Sequence, residues 1–188
     1  MKLKIFKRTG EKKSDINRLR FTGEIPGVIY GARRKSENIK LNEAEFQALM
    51  RDLKPGRLPT TLFELHFDKE VLKAVVRDIQ YHRTNYRILH IDFGILEPDL
   101  PVTVNVPIIY QGAADCAGVK LGGFLRTVLR SIKVTCTNPN TIPSEFTIDI
   151  RNMQMMESKR LSDIPMPEGV RPLAKLSEVA VVVAKKVG

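Results

Sequence analysis

The 188-residue chain has no tryptophan, and aromatic residues make up only 6% of it. Any core must therefore be built from valine, isoleucine and leucine, with phenylalanine used sparingly. No apolar run approaches the roughly 20 residues of a membrane-spanning helix. The basic N-terminus, MKLKIFKRTGEKK, lacks the apolar centre of a secretory signal. Cysteine occurs twice, at Cys116 and Cys136, which supports neither a disulfide scaffold nor a zinc ribbon. His66, His82 and His90 have no recognisable metal spacing around them, and no phosphate-binding loop of Walker or dinucleotide type is present. AGVKLGG (117–123) has the glycines but not the strand–loop–helix setting, and reads as a flexible hairpin loop. These absences argue against membrane, secreted and most enzyme classes. They leave a cytoplasmic, reduced protein for which no cofactor or metal is expected.

What the chain does have is positive charge, unevenly placed. The net charge is +10, and residues 1–40 carry 7 Lys and 5 Arg against 4 acids, or +8. Residues 41–94 are balanced, with 8 of each sign, and residues 95–188 hold 11 bases and 9 acids. An excess concentrated at one end points to a polyanionic partner, nucleic acid first and an anionic membrane surface second.

The 43% apolar content suffices for one or two cores. TTLFELHF (60–67), VLKAVVRDIQYH (71–82) and YRILHIDF (86–93) read as strands joined by turns at Asp68-Lys69 and Arg83-Thr84-Asn85, which suits antiparallel neighbours. NEAEFQALMRDL (42–53) is a helix with Asn42 as N-cap and Glu45 completing a capping box. SDINRLRF (14–21) reads as one or two helical turns in a basic loop, capped by Ser14, with Ile16, Leu19 and Phe21 facing inward. GILEPDLP (94–101) marks a domain edge. Beyond it VTVNVPIIYQG, FLRTVLRSIKVTC, EFTIDI and EVAVVVAKKV are again strands, and Pro107 within the first argues for an edge or a bulge. KRLSDIPMPEGV reads as a helical turn followed by a proline-bounded loop. Two small, mainly β domains with a few helices result.

Period-2 alternation sends Leu89, Ile91 and Phe93 to one face of YRILHIDF, and Ile88, His90 and Asp92 to the other. If the polar faces of the two neighbouring strands agree, Gln80, His82, His90 and Asp92 form one patch of donors and acceptors. An ordinary solvated sheet face is the plain alternative. The opening stretch RLRFTGEIPGVIYG adds Arg18 and Arg20, whose planar guanidinium groups match phosphate oxygens, and Tyr30, with a hydroxyl and a stacking face. Together these groups suit the wide, shallow minor groove of an RNA helix.

RLRFTGEIPGVIYG, RDIQYH and LHIDF, in this order and spacing, resemble the bacterial large-subunit ribosomal protein twenty-five family in its long, general-stress (CTC) form. VPIIYQG, AGVKLGGFL and NTIPSEFTIDI resemble the extra β domain of that form. The resemblance implies an N-terminal antiparallel β-barrel of six-stranded type over residues 1–95, binding 5S rRNA through its minor groove, and a C-terminal β domain over 96–188. The contact residues it implies are Arg8, the basic loop Lys12, Lys13 and Ser14, the pair Arg18 and Arg20, Tyr30, Gln80, His90 and Asp92. It also implies a structural, non-enzymatic role at the ribosome in the cytoplasm, without a membrane, the second domain meeting other large-subunit components. One departure is visible: His82 is followed by Arg83 where the family commonly has His-Pro. Two rivals remain, a stress factor that binds many structured RNAs and a hydrolase using His82, His90 and Asp92.

Overall fold

A computed structural model describes residues 1–10, 12–67, 70–98 and 100–185, without the side chain of residue 140. The chain divides into two compact units, Met1–Leu100 and Pro101–Gly188.

The first unit is a closed barrel of six strands: β1 (Lys2–Lys7), β2 (Glu24–Tyr30), β3 (Glu37–Asn42), β4 (Phe63–Phe67), β5 (Glu70–Tyr81) and β6 (Ile88–Ile95). Around the barrel the order is β1-β3-β2-β6-β5-β4. Closure leaves no unpaired sheet edge. The pairing is mixed rather than wholly antiparallel. β1 lies parallel to β4, and β2 parallel to β6, while the other four pairs are antiparallel. Only the antiparallel pairs β2–β3, β4–β5 and β5–β6 join consecutive strands. Parallel partners need a longer crossover, and both parallel pairs here are separated by other strands and helices. The Asp68-Lys69 turn lies outside the described residues.

Alternation fills the interior with Leu3, Ile5, Ile25, Ile29, Ile39, Leu41, Leu65 and Ile91, all essentially inaccessible. The few aromatics are concentrated here. Helix α2 (Glu43–Arg51) inserts Phe46 beside Phe63 and Phe93, with centroids 6.0–6.5 Å apart in stacked and edge-on arrangements. Asn42 is its N-cap as expected, Oδ1 accepting from the amides of Ala44 (2.9 Å) and Glu45 (3.2 Å).

Helix α1 (Lys13–Phe21) is longer and more exposed than its sequence suggests. Lys12 occupies the N-cap without a side-chain bond, and Ser14 lies inside the first turn rather than capping it. No residue of α1 is buried, and Phe21 is 90% exposed. The apolar positions are too few to sink the helix into the barrel, so it rides on the surface as a basic rod.

The second unit has two sheets. β7 (Val102–Gln111), β9 (Ser131–Cys136), β10 (Phe146–Asp149) and β12 (Val170–Pro172) form one in the order β10-β7-β9-β12. The other contains β8 (Gly123–Thr127), β11 (Ser158–Arg160) and β13 (Val179–Lys185), ordered β11-β13-β8. The apolar run 124–136 is thus two strands in different sheets, broken at Val128–Arg130. Tyr110 fastens that break, its hydroxyl 2.6 Å from Leu129 O and 2.9 Å from Ala180 O. Pro107 is interior, against expectation. It ends the β7–β9 ladder opposite Ser131, and the β7–β10 ladder begins one residue later at Ile108, so its missing N–H falls at the handover. AGVKLGG is no hairpin loop: Ala117–Lys120 forms the helical turn α3 before β8.

Candidate nucleic-acid interface

The β5–β6 ladder positions three of the candidate side chains. Gln80 is the cross-strand partner of His90, and Asp78 that of Asp92. All four stand on the outer face, opposite the buried Ile91 and Phe93. His90 Nδ1 lies 2.7 Å from Asp92 Oδ1, with the side chains only 25% and 28% exposed. A carboxylate can only accept, so Nδ1 donates and the outward Nε2 of the neutral ring is an acceptor. Gln80, exposed, adds an amide able to donate and accept. The patch can therefore bond base amino groups and ribose hydroxyls.

Two bulges shape this face. One inserts Arg77 as the extra residue between Val76 and Asp78, and the other inserts Leu89 between Ile88 and His90. The second breaks the simple alternation, so Ile88 is buried and Leu89 half-buried, the reverse of their assigned faces. It also exposes the Leu89 carbonyl to Arg20, which donates Nε at 3.3 Å and Nη2 at 2.9 Å. Nη1 reaches Asn17 Oδ1 at 3.5 Å. Arg20 is thus a tie between α1 and β6, next to His90, rather than a freely offered cation.

The remaining basic residues lie on two sides of α1. Arg8 and Arg18 share a groove of about 350 Å³ with Lys7, Lys40, Asp15 and Glu24. Lys40 is paired with Glu24 at 2.8 Å. Arg8 donates Nη1 to Gly10 O, and its Nε is buried without a partner among the described residues. Arg18 is exposed and has no internal side-chain partner among the described residues, which leaves it, with the exposed Lys7, an available cation of the groove. Lys12, Lys13 and Ser14 are exposed at the start of α1 and do not line this groove. Tyr30 ends β2, 36% exposed, opposite Gly94 of β6, whereas Val28 stands opposite Asp92. Tyr30 is therefore two strand positions, about 7 Å, beyond the His90–Asp92 pair.

Residues 3–93 match the family described as Ribosomal L25p. The chain is also 40% identical over 186 residues to the large ribosomal subunit protein bL25 of Chlamydia abortus, covering 99% of this chain and 100% of that protein. The chain belongs to the ribosomal L25p family. Its second unit matches the Ribosomal protein TL5 C-terminal domain over residues 101–187. The bL25 proteins of Chlamydia trachomatis serovar A and Chlamydia pneumoniae are 40% and 38% identical, each over 186 residues.

In this L25p barrel, Arg77 joins the outer face without having been singled out in the sequence, beside Asp78, which alternation in RDIQYH already sends to the face of Gln80. A Cβ added at Gly94 would lie 2.5 Å from Arg77 Nε, so the arginine side chain passes over β6 at this glycine. Its signal was the bulge, which alternation cannot reveal. His82 stands apart from the patch. It closes the hairpin by donating its amide to Arg87 O (2.8 Å), and its Nδ1 accepts from the Thr84 amide (3.3 Å). Arg87 is held by Glu43 at 2.8 Å, and that carboxylate raises the guanidinium pKa above its ordinary value. No helix is long and apolar enough to cross a membrane among the described residues.

Proposed function

We propose that this chain is a structural, non-enzymatic constituent of the large ribosomal subunit in the cytoplasm. It binds 5S rRNA through its barrel, and its second unit meets other components of the subunit. The relatives' name, large ribosomal subunit protein, supports the ribosomal assignment. The observation that carries the RNA reading is the tie from Arg20 to Leu89 O. It sets a helix bearing Lys12, Lys13 and Arg18 beside a sheet patch of Gln80, His90 and Asp92. The cations neutralise phosphates, which supplies the salt-dependent part of the affinity. The patch, with Tyr30 at its margin, reads groove edges and hydroxyls. Arg8 shapes the loop from which this helix starts.

Equilibrium binding of the full chain to 5S rRNA across a salt series tests this division of labour. Arg18→Ala is expected to weaken binding and reduce the salt slope by about 1. Asp92→Ala is expected to leave the slope unchanged and weaken binding roughly ten- to hundredfold, the size of a lost charged hydrogen bond. An Asp92→Ala variant that binds like wild type would remove the sheet patch from the site.

A further inference from the structure

We propose that a second groove, between the end of α1 and the hairpin at 82–87, seats one unstacked base of the bound RNA; this rests on the 5S rRNA reading above. The groove is about 290 Å³. Phe21, Ile88 and Leu89 form its apolar side, and His82, Asn85 and Arg87 its polar side. Phe21 is the anomaly. It is the most exposed large apolar side chain among the described residues, a phenylalanine ring displayed at the end of a helix whose other apolar residues, Ile16 and Leu19, are half-buried. Beside the groove Tyr86, 77% exposed, adopts a left-handed backbone (φ 55°) that few non-glycine residues take up.

A base needs a π-face to stack on and polar groups at its edge. Phe21 supplies the first. For the second, Asn85 Oδ1 already accepts from the Arg87 amide at 3.1 Å, so its Nδ2 hydrogens remain to donate. His82 Nδ1 likewise accepts from Thr84, so the neutral ring carries its proton on Nε2. Two outward donors favour a base edge with carbonyl oxygens, as in guanine or uracil. Charge and position favour RNA as the occupant. The acids lining the groove are paired, Glu43 with Arg87 and Glu24 with Lys40. Arg20 lines the groove as well, and its bond to Leu89 O places the opening next to His90, continuous with the sheet patch.

The test is binding of full-length wild type, Phe21→Ala, Phe21→Leu, Phe21→Tyr and Arg18→Ala to 5S rRNA, and of wild type to an unrelated RNA hairpin of equal length, across a salt series. Because the Phe21 ring is exposed, these substitutions spare the fold, which far-UV circular dichroism checks. The expected result is a roughly five- to hundredfold loss for both Ala and Leu at unchanged salt slope, with Tyr near wild type. If wild type selects 5S rRNA and Arg18→Ala weakens it while Phe21→Ala binds as wild type, the groove inference alone falls. A Leu variant as tight as wild type also overturns it, since an apolar protein-type contact would then suffice. If wild type shows no selectivity for 5S rRNA, the parent reading falls and takes this one with it.

Discussion

Phe93→Ala should destabilise the barrel by about 3–5 kcal/mol, a large part of the stability of a domain this size. Phe93 is fully buried, and its ring meets both Phe46 and Phe63 at 6.0–6.5 Å. Truncation removes the apolar surface and opens a cavity between a helix and two strands that cannot collapse around it. Because Phe93 directly follows Asp92 on β6, the loss reaches the outer face too. Urea unfolding followed through the backbone amide NMR signals of β1–β6 measures the effect. Phe93→Leu, which restores most of the volume, should cost far less. A loss below about 1 kcal/mol for the alanine variant would mean that the aromatic cluster does not organise this core.

Gly27→Ala should cost about 1–3 kcal/mol although it adds a single methyl group. An added Cβ would lie 2.7 Å from the backbone oxygen of Ile91, and a backbone atom cannot turn aside as a side chain can. The contact falls in the parallel β2–β6 pair, where Gly27 stands opposite Ile91 and Val28 opposite Asp92. Forcing the strands apart should therefore displace the His90–Asp92 pair as well as weaken the barrel. The expected signature is a drop in RNA affinity under conditions where the variant is still folded, with altered amide shifts at residues 90–92. Unchanged stability and unchanged shifts would contradict the close packing of β2 on β6.

Where the chain's local chemistry is decisive, the structure was legible in its residues. Asn42 announces the start of α2, and the alternation in FELHF and HIDF separates core from surface without ambiguity. Gln80, His90 and Asp92 share a face because a hairpin brings neighbouring strands into register, which short turn spacing already suggests. What was hidden is non-local. The parallel partners β1–β4 and β2–β6 are distant in sequence, and no turn signals them. The bulge at Leu89 reverses the faces of Ile88 and Leu89, and only this reversal shows Arg20 as a tie and not a free cation. Pro107 reads as an edge signal because a missing N–H is tolerated there, yet an interior strand tolerates it equally at a handover between two ladders. Helix α1 was underestimated because a surface helix needs little buried area once one arginine fastens its end.

The most direct test of the ribosomal reading is competition between 5S rRNA and an unrelated RNA hairpin of equal length for the full chain, repeated from low to physiological salt. The account predicts that 5S rRNA remains the tighter ligand at every salt concentration, and that the margin widens as salt screens the phosphate contacts common to both RNAs. Equal affinity for the two RNAs throughout would contradict it, leaving a basic barrel that holds structured RNA by charge alone.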